Sequence, residues 1–157
     1  MINTLHGNVL DTENAVIVHC VNCQGVMGSG IAREIRERFP EAYETYRETY
    51  QNKILHLGSI SYVYFPAVEN VGHKIIANAA GQDWYGAGNV HVDYDATRIC
   101  FANINEDMKH FKAEHGITTI NFPLFGCGLA GGDWTKVSEI IEEEVSDEWT
   151  KNLYLYP

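Results

Sequence analysis

Two glycine-rich turns constrain this chain more than any other feature, because each is entered from a β-rich apolar run and left through a helical pattern. The first run, Val16 to Val21 (VIVHCV), leads through Asn22 to Gly28-Ser29-Gly30 and then to an amphipathic stretch from Ile31. The second, Ile117 to Phe122, leads to Gly126-Cys127-Gly128-Leu129-Ala130-Gly131-Gly132, after which Asp133 reads as a helix N-cap. Strand, turn and helix in succession build a parallel sheet with helices on its faces. Turns of this kind lie outside the carboxyl ends of the strands, where open α/β sheets bind ligands. Glycines let backbone amides approach an anion with no Cβ in the way, and a following helix points its positive end at that anion. Two such loops facing each other can hold two linked phosphates through N–H groups alone, without a lysine.

The remaining segments fit the same architecture. Ile2 to Leu5 reads as a short first strand. Ile31, Ile35 and Phe39 recur at helical spacing up to Pro40, and Tyr43, Tyr46 and Tyr50 carry a second short helix over 41–50. Ser59 to Phe65 and Lys74 to Ala77 read as adjacent strands or a hairpin. Asn78 to Asn89, rich in Gly, Ala and Asn, reads as a loop in which Trp84 and Tyr85 either form a flap over a ligand or fill the edge of the core. Asp93 to Phe111 predicts a long helix closed by Gly116. A run to about Val145 predicts another, and Asn152 to Tyr156 predicts a last strand. The expectation is a single α/β domain over 1–157: three layers, α/β/α, around a central mixed, mostly parallel sheet.

Composition narrows the partners. Eleven Lys and Arg against 21 Asp and Glu give a net charge of −10, which opposes general binding to nucleic acid or to anionic membranes. Any phosphate must therefore be held by local backbone donors. No apolar run is long enough to span a membrane, and Cys20, Cys23, Cys100 and Cys127 lack disulfide-scaffold spacing, so a reducing, cytoplasmic setting is expected. Cys20-x-x-Cys23 invites a redox or zinc reading, but Cys20 falls in a strand rather than at a helix start and no second ligand pair follows; no metal and no cofactor are expected. A dinucleotide fingerprint from Gly28 would need glycine at Arg33, and a Walker loop would need Gly-Lys-Ser/Thr; neither is present.

Val16 to Ala32, together with Phe122 to Leu129 and Gly131-Gly132-Asp133-Trp134, resembles the macrodomain family, which binds ADP-ribose. The likeness is greatest to the branch of the ADP-ribose-1''-phosphate phosphatase and the terminal ADP-ribose protein glycohydrolase. It implies that Gly28, Ser29, Gly30 and Ile31 form one phosphate loop, and Gly126, Cys127, Gly128 and Leu129 the other. It also implies that Asn22 contacts the distal ribose. Asn8, beside Val9, stands where many members have an aspartate that hydrogen-bonds the adenine amino group.

The glycohydrolases of the branch use a lysine and an aspartate whose positions align with Asn78 and Ala130, and neither residue can serve. His19 stands where the phosphatase branch carries a histidine implicated in activity, so His19 is expected as an acid-base catalyst, with Asp133 as a second acid-base group or merely a cap. A nucleophilic Cys127 is the weaker candidate. The reading is a phosphatase of ADP-ribose-1''-phosphate. The alternatives are a non-catalytic ADP-ribose module reading ADP-ribosylated macromolecules, and an ADP-ribosyl hydrolase that works without the lysine.

Overall fold

The structure, a computed structural model, describes residues 1–86 and 88–157; Ala87, within the loop predicted over 78–89, lies outside the described residues. Six strands form one mixed sheet: β1 (Ile2–His6), β2 (Val16–Val21), β3 (Ile60–Phe65), β4 (Lys74–Ala80), β5 (Thr119–Phe122) and β6 (Thr150–Leu155). Their spatial order is β1-β6-β5-β2-β4-β3. Every neighbouring pair is parallel except β3 and β4. The helices are α1 (Gly30–Arg38), α2 (Pro40–Gln51), α3 (Tyr94–His115) and α4 (Trp134–Glu144).

Side-chain alternation divides the core into two layers. On β2, Val16 and Val18 enter the layer under α3 and α4, with Ile104, Met108 and Ile141. Ile17 and Val21 enter the layer under α1 and α2, with Ile35, Ala42 and Tyr46. Helices on both faces of a mostly parallel sheet are the α/β/α arrangement expected from the sequence. Local signals set the helix ends. Asp93 caps α3 by accepting from the Ala96 N–H, and Gly116 ends it in the left-handed conformation at φ +69°. Pro40 starts α2 at its first position, where its missing N–H costs nothing.

One element differs from the sequence reading. β4 does not stop at Ala77 but runs to Ala80, so Asn78-Ala79-Ala80 is buried strand rather than loop. Small side chains are needed there, because α2 packs on one face, where the Ala42 carbonyl accepts from Asn78 Nδ2 at 3.0 Å. The same close packing continues at Gly81, where an added Cβ would sit 2.8 Å from Phe125 Cε1 and 3.0 Å from Cys20 Sγ.

Candidate functional site

At the carboxyl end of β2 the chain turns through a loop held by one asparagine and one tyrosine. Asn22 Oδ1 accepts from the N–H groups of Gln24 (2.9 Å) and Val26 (3.4 Å), and Asn22 Nδ2 donates to the Val26 carbonyl at 2.7 Å. The buried Tyr46 hydroxyl lies 2.7 Å from both Asn22 O and Oδ1 and accepts from the Gly25 N–H at 3.1 Å. Burial pushes the Tyr46 phenol well above its ordinary value, so it stays a neutral donor. The loop then delivers Gly28, Ser29 and Gly30 to solvent at the start of α1. Ser29 makes no side-chain cap, so the first N–H groups of α1 remain open for a ligand, with the positive end of the helix behind them.

The second loop follows β5. Its turns use the N–H groups of Cys127, bonded to Leu124 O at 3.0 Å, and of Gly131 and Gly132, bonded to Gly128 O and Gly126 O at 3.0 and 2.8 Å. The N–H groups of Gly126, Gly128, Leu129 and Ala130 take no protein acceptor among the described residues. Glycine is obligatory at two places here. Gly126 sits at φ +70° with an added Cβ 2.7 Å from Val92 Cγ2, and a Cβ on Gly132 would meet the Gly126 carbonyl oxygen at 2.5 Å.

Both loops line one cavity of about 1090 Å³. It holds every residue expected to bind ligand: Asn8, Val9 and Asn22; then Gly28, Ser29, Gly30 and Ile31; then Gly126, Cys127, Gly128 and Leu129. Since β2 and β5 are neighbours, the loops face each other across its middle. The cavity runs from the ends of β1 and β6 (His6, Tyr154, Tyr156) to the end of β4 (Gln82, Tyr85). Four strand spacings separate these extremes, roughly 19 Å, the length of an extended dinucleotide-sized ligand.

The two residues expected to act in catalysis, His19 and Asp133, are not among the residues that line this cavity. His19 shares its face of β2 with Ile17 and Val21, beneath α2, and is 0% exposed. Its Nε2 lies 2.5 Å from Asn78 Oδ1. Because Asn78 Nδ2 is committed as donor to Ala42 O and Ser61 Oγ, the Asn78 oxygen faces His19 and the imidazole carries its proton on Nε2. Nδ1 is buried and has no partner among the described residues. Burial holds the His19 pKa down at about 4, so the ring is a neutral core residue. Asp133 also lies off the cavity, its Oδ1 accepting from the Thr135 N–H at 2.9 Å as the cap of α4.

Asn78, aligned with the lysine of the glycohydrolases, points under α2, whereas Ala130 does line the cavity. The Cys127 thiol donates to Phe125 O at 3.2 Å, and burial, with Asp133 nearby, pushes it up to about 11, which leaves it protonated and unreactive near neutrality. Cys23 is likewise raised to about 11 by burial. Among the described residues no group of three or more His, Cys, Asp or Glu is placed to hold a metal.

Asn8 lines the cavity, and both ends of its amide are bonded within the chain. Its Oδ1 accepts from the Leu10 N–H at 3.0 Å, capping a 3₁₀ turn over Val9–Asp11, and its Nδ2 donates to both carboxylate oxygens of Glu34 at 3.1 Å. Sequence reasoning missed Glu34, although it follows Ile31 by three residues and so shares its helix face. Tyr154 and Tyr156 were also missed; their spacing of two puts them on one side of the end of β6. Gln82 had no signal. Its amide is oriented by Cys20 Sγ at 3.4 Å and by the Trp84 carbonyl at 2.8 Å.

Comparison with known proteins agrees with this architecture. A DNA ADP-ribosyl glycohydrolase of Mycobacterium bovis is 28% identical over 139 residues, covering 88% of this chain and 37% of that protein. The chain thus spans little more than a third of the length of this relative and of its Mycobacterium tuberculosis counterpart. An ADP-ribose 1''-phosphate phosphatase of Aspergillus clavatus is 23% identical, covering 88% of this chain and 91% of that protein. Thermosipho africanus DarTG, solved in complex with ADP-ribose, superposes with a TM-score of 0.81 at 20% identity, over 99% of this chain and 41% of that one. The Macro domain family model matches residues 18–141, most of the chain and both glycine-rich loops, and the protein therefore belongs to the Macro domain family.

Proposed function

We propose that the cavity binds ADP-ribose, with the diphosphate between the two loops and the two nucleoside-like ends directed toward β6 and β4. One observation carries this reading: residues at the start of α1 and at Gly126, Gly128 and Leu129, whose N–H groups take no protein acceptor among the described residues, line a single elongated cavity. Among the described residues no Lys or Arg side chain lines that cavity, so an anion there is held by amide dipoles. Isothermal titration calorimetry with ADP-ribose tests the reading directly; micromolar binding is expected, and no heat at high micromolar ligand would end it.

Within that reading, geometry favours a binding module that recognises free ADP-ribose or ADP-ribosylated macromolecules. The two acid-base candidates lie outside the cavity. Hydrolysis of ADP-ribose-1''-phosphate is the second reading, supported by likeness to the Aspergillus phosphatase along nearly its whole length. Removal of ADP-ribose from macromolecules, the activity in the name of the Mycobacterium relative, would here need a route without lysine. A panel of ADP-ribose-1''-phosphate, an ADP-ribosylated peptide and an ADP-ribosylated oligonucleotide separates these. Binding without phosphate or ADP-ribose release supports the module, and turnover of any one identifies the enzyme.

A further inference from the structure

Three loops supply walls of the cavity: 22–29 after β2, 81–93 after β4 and 123–133 after β5. Together they contain no Lys or Arg and three aspartates, Asp83, Asp93 and Asp133. Asp93 and Asp133 are committed to capping α3 and α4. Asp83 is exposed. Its Oδ1 lies 3.3 Å from Gln24 Nε2, and its carbonyl accepts from the Cys23 N–H at 3.0 Å, which ties the loop after β4 to the loop after β2. The bases that flank these loops are already engaged: Arg47 Nη1 donates to Gly25 O at 3.0 Å and its guanidinium lies over the Tyr50 ring, while Lys136 lies over Tyr94.

The same loops expose apolar surface. Trp84, Val90 and Leu129 are each at least half exposed, and Trp84 stacks on Tyr85 while leaving indole surface to solvent. The Ala130 carbonyl accepts from the His91 N–H at 2.7 Å, and a Cβ on Gly131 would meet Val90 Cα at 3.3 Å, so the loops after β4 and β5 form one continuous rim. Tyr85 and Leu129 also line the cavity, so the rim begins where the cavity ends. Exposed apolar side chains framed by polar loops mark an interaction surface. Charge decides what this one takes. A nucleic-acid strand needs cations to neutralise its phosphates, and the rim supplies none. An Arg or Lys side chain meets the opposite: an indole for a cation–π contact, the Asp83 carboxylate next to it in the chain, and the field of a protein with net charge −10.

We propose that the rim formed by Trp84, Tyr85, Val90 and Leu129 docks a cationic polypeptide segment, the stretch of protein that flanks an ADP-ribosylated residue. An Arg or Lys of that segment sits over Trp84 near Asp83, and its aliphatic parts cover Val90 and Leu129. The inference rests on the reading that the cavity takes ADP-ribose, and it adds the class of macromolecule attached: basic protein, with nucleic acid refused on charge.

The test is calorimetry with free ADP-ribose, an ADP-ribosylated peptide flanked by Lys and Arg, the same peptide flanked by Asp and Glu, and an ADP-ribosylated single-stranded oligonucleotide. Wild type should bind the basic peptide about fivefold more tightly than free ADP-ribose, an advantage that shrinks as salt rises from about 20 to 200 mM. The acidic peptide and the oligonucleotide should bind no better than free ADP-ribose. Trp84→Ala and Asp83→Asn, shown folded by thermal melting, should each lose most of the advantage and keep their affinity for free ADP-ribose, since neither side chain lines the cavity. Equal affinity for the two peptides, tighter binding of the oligonucleotide, or an advantage that survives in Trp84→Ala overturns the docking surface while leaving ADP-ribose binding intact. If free ADP-ribose does not bind, the functional reading itself fails and this inference with it.

Discussion

His19 illustrates how residue identity and residue environment come apart. Its imidazole is neutral in the folded state down to about pH 4, whereas in the unfolded chain it takes a proton near 6.5. Between those values the unfolded state binds the extra proton, so stability falls as pH drops through the window and is unaffected by this group well above it. The loss amounts to at most about 3 kcal/mol. Urea midpoints of wild type and His19→Gln between pH 7.5 and 4.5 check this: the variant should lose that share of the acid slope, and identical slopes would refute the buried neutral assignment. His19→Ala should cost about 2 kcal/mol by stranding Asn78 Oδ1, with affinity for ADP-ribose retained.

The sequence could not reveal this, because β2 is buried on both faces. A strand with one wet face announces its orientation by alternation, whereas VIVHCV reads the same whichever parity faces which layer. The role of Asn8 was equally hidden, since it depends on a carboxylate 26 positions away.

At the scale of elements, most of the fold was legible and the exception has a physical cause. Amphipathic spacing and terminal signals located α1 through α4, while Asn78-Ala79-Ala80 looked like loop because residues small enough for close helix packing are also those that populate turns. The two glycine-rich loops were legible because glycine has few competing uses between a strand and a helix. They also separate folding from binding. Gly128 has open space where a Cβ would go, yet it lines the cavity; Gly128→Ala should therefore melt like wild type but bind ADP-ribose more weakly, by tenfold or so if one amide contact is lost. Gly132→Ala should behave oppositely and lower the melting temperature even without ligand, since its Cβ would strike the Gly126 carbonyl. Equal effects of the two substitutions on stability would contradict the loop geometry. Asp133→Ala should cost about 1 kcal/mol from the loss of the α4 cap and leave affinity unchanged.

For the whole molecule, a net charge of −10 and a cavity that no Lys or Arg lines among the described residues set the ionic-strength response. Sites built from Lys and Arg lose phosphate ligands as salt rises; here long-range repulsion is what salt screens, so affinity for ADP-ribose should hold or rise between 20 and 200 mM salt at roughly the Debye lengths involved. A steep fall in calorimetric affinity would point to a cationic contact outside the cavity. The two strands that meet at the edge of the sheet, β1 and β6, bring His6 and Tyr154 to the same end of the cavity from opposite ends of the chain.

The loop after β4 has an optical consequence. Trp84 is 52% exposed and stacked on Tyr85 at 5.3 Å, and Tyr85 lines the cavity, whereas Trp149 is buried in the layer under α3 and α4 and Trp134 packs against Phe122. Among the three tryptophans, only Trp84 sits next to the cavity on a solvent-exposed stack. Its emission should shift when a ligand displaces or extends that stack, so the protein carries its own fluorescent reporter, and occupancy of the cavity can be followed in real time without a label.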